Sequence, residues 1–117
     1  MTMRKKIGSL DNMAFKIKAD FLKGLAHPIR LQIIEYLKNG EASVGKLEQE
    51  LGVKQSNLSR HLATLRDLSV LEARQEKTSV YYAIHDQDIF KVLRPIAELL
   101  KKKLQKSQKI LATLGKG

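Results

Sequence analysis

The stretch that most constrains this chain is residues 51–68, LGVKQSNLSRHLATLRDL. Leu58, Leu62, Leu65 and Ser69 recur at spacings of four, three and four, so they share one side of an α-helix that can lie on a core. At about 100° per residue the opposite side presents Ser56, Arg60, Ala63 and Asp67, with Asn57 and Ser59 on its flanks. Near its start this outer face is small and hydrogen-bonding. Gln55, Ser56, Asn57, Ser59 and Arg60 can reach base edges and phosphates without filling a groove with bulk. Upstream, Ser43 is a candidate N-cap, Val44, Leu47 and Leu51 form a short apolar stripe, and Gly52 supplies a turn. Two short helices joined by a glycine turn, the second polar at its N-terminal face, describe a helix-turn-helix whose second helix reads DNA.

The flanking segments fit around this unit. Ala14, Ile17, Phe21 and Leu25, with Leu22 beside them, predict a first helix from Asp11 to Leu25, capped by Asp11 or Asn12. A basic, flexible tail over residues 1–10 is expected before it. Pro28 suits the first position of a second helix, which turns Ile29, Ile33, Ile34 and Leu37 inward and ends on a left-handed cap at Asn39-Gly40. After Leu68 the period changes from 3.6 to 2. Leu71, Ala73 and Gln75, then Val80, Tyr82 and Ile84, predict a two-stranded hairpin with Glu76-Lys77-Thr78-Ser79 at its tip. Tyr81 and Tyr82 fall on opposite faces of their strand, one toward the core and one outward. A helical pattern resumes after the candidate cap Asp86 and meets Pro95, which should kink or divide it. Its apolar positions run on to Leu114, beyond what so small a core can use. Pairing with a second copy would cover them, so a homodimer is expected, built on the first and last helices through Phe21, Ile96, Leu99, Leu100 and Leu104. The domain reading is a DNA-binding domain over residues 11–95 and a dimerisation helix with basic tail over 96–117. The fold class is mainly α (α+β).

Charge agrees with a polyanion partner, since the 117 residues carry a net +10. The excess lies at the ends: residues 1–26 carry +4 and residues 86–117 carry +5, whereas residues 54–69 carry only +2. An architectural protein coating double-stranded DNA through its basic ends, with little sequence preference, is therefore the alternative to a specific regulator. Lys101, Lys102, Lys103, Lys106 and Lys109 read either as a solvated helix face or as a further polyanion contact. Without cysteine there is no disulfide or thiolate chemistry. No apolar run is long enough for a membrane span or a signal peptide, so no membrane partner is expected and the cytoplasm is the expected compartment. His27, His61 and His85 form no catalytic constellation with a serine and a carboxylate, and no glycine loop would cradle phosphate, so enzyme activity and a cofactor are not expected. His61 lies about 60° from the centre of the core-facing side, which allows packing or a base contact. Arg30, among inward residues, would pair with a carboxylate or extend past the core.

The segments FLKGLAHPIRLQIIEYL, SVGKLEQELGVKQSNLSRHLATLRDLSVL and ARQEKTSVYYAI resemble the ArsR/SmtB family of winged helix-turn-helix repressors over roughly residues 15–90. The resemblance implies a dimeric transcription factor that places two recognition helices in successive major grooves and lays hairpin wings along the backbone. It implies groove contacts from Gln55, Ser56, Ser59 and Arg60, with Asn57 beside them, and a phosphate contact from Lys77. Two departures stand out: Lys54 occupies the place of the usual serine cap, and the wing tip EKTS lacks the usual glycine before its basic residue. Members of the family commonly sense metals or thiol reactants through cysteines of the third helix or Asp and His pairs on the last. This chain has no cysteine and no histidine on the last helix, so no metal site is expected; the effector, whether ligand or partner protein, is left open.

Overall fold

The computed structural model describes residues 8–116 and contains, in order, α1 (Ser9–Leu25), α2 (Pro28–Tyr36), β1 (Ala42–Ser43), α3 (Val44–Leu51), α4 (Gln55–Asp67), β2 (Leu71–Glu76), β3 (Ser79–Ile84) and α5 (Ile89–Lys116). Of the expected basic tail, residues 1–7 lie outside the described residues. The chain divides between His85 and Asp86 into two compact units.

In the first unit, α1 begins two residues earlier than its apolar spacing suggests. Gly8 is the N-cap, and Asp11, instead of capping, sits in the first turn and accepts the Gly8 N–H at 3.3 Å. Only the last turn of α1 is buried, at Gly24 and Leu25. Gly24 allows a close approach, because a Cβ there would stand 2.2 Å from Leu68 Cδ1. Pro28 opens α2 as its composition predicts, with His27 as N-cap, its Nδ1 accepting the Ile29 N–H at 3.1 Å. A 3-10 turn over Leu37–Asn39 closes this helix. Gly40 then adopts φ +154° and ψ 172°, an extended glycine conformation and not the left-handed cap expected at Asn39-Gly40.

Ile33, Ile34 and Leu37 from α2, Leu47 from α3, and Leu58, Leu62 and Leu65 from α4 are all at most 1% exposed and form the centre of the core. Ile29, expected among them, is only half-buried. Ser69, the expected fourth member of the α4 stripe, lies outside the helix and is exposed. The chain reverses there in a Schellman motif: Ser69 N–H donates to Arg66 C=O at 2.9 Å and Val70 N–H to Leu65 C=O at 3.0 Å, with Ser69 at φ +61°. Val70 thereby takes the buried position beside Leu65 that Ser69 cannot use.

The hairpin is part of a three-stranded antiparallel sheet in the order β1-β3-β2, not a two-stranded ribbon. Ala42 and Ser43 pair with Tyr82 and Tyr81, a strand too short to leave an alternating pattern. The register Leu71↔Ile84, Ala73↔Tyr82 and Arg74↔Tyr81 places Tyr82 on the inner face with the buried Leu71, Ile84 and Ala42, and Tyr81 on the outer face with Arg74. Glu76 pairs with Ser79, so the loop at the tip is only Lys77-Thr78.

The second unit is dominated by α5. Asp86 organises the turn before it, its Oδ1 accepting the Asp88 N–H at 2.9 Å. The helix then runs on through Pro95 without being divided there.

Ser69 holds a backbone conformation that glycine adopts at no steric cost, on an exposed turn. Ser69→Gly should raise stability by about 0.5–1 kcal/mol, read as a higher urea midpoint with unchanged slope.

Candidate nucleic-acid interface

The outer face of α4 owes its position to the turn before it. Ser43 caps α3 by accepting the Lys46 N–H at 3.1 Å, and Gly52 ends α3 in the left-handed region at φ 66° and ψ 32°, its N–H donating to Glu48 C=O at 3.0 Å. Lys54 is the N-cap of α4, but its side chain makes no capping bond. The cap comes from across the turn, where Glu48 Oε2 accepts the Gln55 N–H at 3.1 Å. A carboxylate at this helix end also faces the positive pole of the helix dipole, so one side chain satisfies a free N–H and ties α3 to α4. Glu48, which holds the start of α4 in place, is the residue of this surface that sequence reasoning missed. Local capping rules look for short side chains at the cap itself, not for an acid seven residues upstream on another helix.

All five residues expected from the sequence, Gln55, Ser56, Asn57, Ser59 and Arg60, are exposed on the first turns of α4. Arg60 Nη2 donates to Asn57 Oδ1 at 3.0 Å, which holds the guanidinium along the helix face. Lys77 is exposed at the hairpin tip with φ +58°, a conformation that turn rules assign to glycine or asparagine. A cleft of about 230 Å³ lined by Ser43, Gly45, Gln55, Thr78 and Ser79 brings the wing loop beside the N-terminal ends of α3 and α4. Of the residues expected at a dimer contact, Phe21 is half-buried on α1, and Ile96, Leu99, Leu100 and Leu104 on α5 are 46–64% exposed.

The opposite side of α4 carries a polar network. His61 is 1% exposed and faces inward, so it packs and does not touch bases. Arg30 Nε donates to His61 Nδ1 at 3.0 Å, and Arg30 Nη1 donates to Gly24 C=O at 2.9 Å. Arg30 therefore neither pairs with a carboxylate nor extends past the core; its partners are a neutral imidazole and a backbone carbonyl. Because a guanidinium can only donate, His61 Nδ1 must accept, and its proton sits on Nε2. His27 lies against the same ring, centroid to centroid 4.2 Å. Burial, reinforced by the neighbouring His27 ring and the Arg30 and Arg60 guanidinium charges, holds the His61 pKa below the ordinary 6.5. His85, following β3, lies 3.4 Å from Glu72 Oε1, and among the described residues no group of three or more metal-ligating side chains comes together.

An exposed hydrogen-bonding helix behind a tight turn, with a three-stranded sheet projecting a basic tip beside it, defines the winged helix-turn-helix class of DNA-binding domain. Comparison with known proteins places the chain within that class. Residues 27–72 match the model of the arsR family of bacterial regulatory proteins. An HTH-type transcriptional regulator of Mycobacterium tuberculosis is 36% identical over 104 residues, covering 88% of this chain and 91% of the relative. Among solved structures, the transcriptional repressor BigR from Xylella fastidiosa is 30% identical with a TM-score of 0.64, covering 79% of this chain and 96% of that one. The homodimeric winged helix-turn-helix DNA-binding domain from Mycobacterium bovis is 25% identical with a TM-score of 0.74, covering 88% and 95%. The chain belongs to the arsR family and is a DNA-binding transcriptional regulator.

Two outcomes test this geometry. With His61 held below 6.5 in the fold, the unfolded chain takes up that proton first. The contribution of neutral His61 is thus complete above about pH 6.5 and is lost as pH falls through that value toward the folded pKa. His61→Asn, which keeps an acceptor for Arg30 but does not titrate, should flatten the decline in melting temperature between about pH 7.5 and 5. Removing the cross-turn cap with Glu48→Ala should lower stability by about 1 kcal/mol in urea unfolding.

Proposed function

We propose that the protein is a homodimeric repressor that binds a pseudo-palindromic operator in the cytoplasm. Gln55, Ser56, Asn57, Ser59 and Arg60 of each copy enter one major groove, and Lys77 contacts a phosphate alongside. The observation that carries this reading is the exposed N-terminal face of α4, fixed from behind by buried leucines and from the side by Glu48 and the Asn57–Arg60 bond. Its groups are short donors and acceptors suited to base edges. Two copies would place their recognition helices about 34–36 Å apart, one turn of the duplex.

The second copy is supported by what the protomer leaves uncovered. On α1, Leu10, Met13 and Ile17 are exposed, and on α5 the apolar side runs from Val92 through Ile96, Leu100 and Leu104 to Leu114. Apolar surface on this scale on two helices marks a contact between macromolecules. The homodimeric M. bovis neighbour supports self-association, and the Xylella repressor supports negative control of transcription.

A footprint on source DNA should show protected half-sites one helical turn apart. Arg60→Ala should weaken specific binding by about 1–3 kcal/mol while leaving random-duplex binding nearly unchanged. Equal affinity for operator and random duplex at physiological salt would instead favour the architectural alternative, with binding through the lysines of α5 and the basic N-terminal end. Deleting the gene should raise expression from the footprinted promoter; a fall would make the protein an activator.

A further inference from the structure

Arg74 and Lys77 are the only basic residues in the hairpin, so either could be read as a phosphate contact. The environment of Arg74 argues otherwise. Its Nε donates to Glu41 Oε2 at 2.9 Å, its Nη2 to Glu41 Oε1 at 2.5 Å and its Nη1 to Glu76 Oε2 at 2.7 Å. Its Cζ also lies 4.6 Å from the ring centroid of Tyr81, the residue directly opposite on β3. All three nitrogens are engaged by carboxylates and the guanidinium is stacked on a ring. Two glutamates against one arginine leave the cluster net negative, which does not attract phosphate.

The place of the cluster in the sheet explains what it does. β1 covers β3 only at Tyr81 and Tyr82. Beyond the Arg74↔Tyr81 row the wing is a two-stranded ribbon, Gln75↔Val80 and Glu76↔Ser79, ending in Lys77. Such a ribbon is marginal alone and its direction is set at its root. Glu41 lies immediately before β1, so its fork reaches across the sheet from that edge to Arg74 on the outer strand β2, the last β2 residue in a row that includes the third strand. Isolated exposed ion pairs contribute little, but a bidentate pair joined to a second carboxylate and an aromatic face has fixed geometry.

We infer that Arg74 is a positioning residue, which through Glu41 and Tyr81 aims the wing so that Lys77 meets the DNA backbone. This rests on the DNA-binding reading above. The experiment measures affinity of the full-length protein for the footprinted operator, with random duplex as reference, for wild type, Arg74→Ala, Arg74→Lys, Glu41→Ala, Lys77→Ala and the Arg74→Ala/Lys77→Ala double variant. Melting curves establish that each is folded at the assay temperature.

The expected result is a loss of about three- to tenfold for Glu41→Ala, even though it removes a negative charge near DNA, and a similar loss for Arg74→Ala. Arg74→Lys should resemble Arg74→Ala, because lysine keeps the charge but not the fork. Lys77→Ala should cost nothing further once Arg74 is gone. Tighter or unchanged binding by Glu41→Ala, near-normal binding by Arg74→Lys, or additive Arg74 and Lys77 losses would overturn the inference and make Arg74 a phosphate contact. A wild type that does not prefer operator over random duplex overturns the DNA-reading itself, an outcome visible before any variant is compared.

Discussion

Everything on the reading surface depends on how α4 buries its other side. Leu58, Leu62 and Leu65 are at most 1% exposed and seat the helix on α2 and α3. His61 is equally buried, and a polar ring in that position is costly unless it is hydrogen-bonded. Arg30 supplies one bond, to Nδ1, while Nε2 has no hydrogen-bond partner among the described residues; Arg30 also passes the constraint on, since its second donor group holds the Gly24 carbonyl at the end of α1. Gly24 in turn leaves room for Leu68 just beyond the end of α4. α4 is thus fixed to α1, α2, α3 and β2 by packing plus one directional network, and a helix fixed in this way can present short side chains to a groove without losing its aim.

Much of this was legible in the sequence because helical periodicity is a local signal. The stripe at Leu58, Leu62 and Leu65, the caps at Ser43 and Gly52 and the proline opening α2 each involve residues within one or two turns of one another, and each appears in the structure. The five exposed side chains of the α4 face follow from the same wheel. What escaped was set by distance along the chain. Arg30 and His61 are 31 residues apart, and Glu41 and Arg74 are 33 apart. Pairing at that range follows from tertiary packing, so composition offered only generic partners for Arg30. Ser69 failed for a different reason: the wheel continues the helix indefinitely, whereas the Schellman turn ends it and hands the buried site to Val70. The two-residue β1 lies below the length at which alternation is visible.

Charge placement decides how such a surface could discriminate between sequences. Near the reading face, Lys46 is paired with Glu50 at 2.9 Å and Arg74 is held by two glutamates, so among the described residues Lys54, Arg60 and Lys77 are the nearby cations that make no ion pair with an acid. Fewer phosphate neutralisations mean a weaker sequence-independent term and a shallower dependence on salt. Discrimination then falls on hydrogen bonds to base edges, which reward rigid placement over charge.

A single copy with so few free cations beside its reading face would hold a half-site weakly there, and this connects α4 to the apolar sides of α1 and α5. When two reading heads are joined, the second half-site is met at high effective concentration, so the free energies of two modest contacts combine without added positive charge. The gain depends on a fixed separation between the heads, since a loose link would spread the second head over many positions. A long helix with an apolar side, such as the stripe from Val92 to Leu104 that resumes at Ile110, Leu111 and Leu114, can hold that separation in the proposed dimer. In the proposed dimer, the same uncovered apolar helix that is a liability for the lone protomer would let a weakly charged reading face select its DNA sequence.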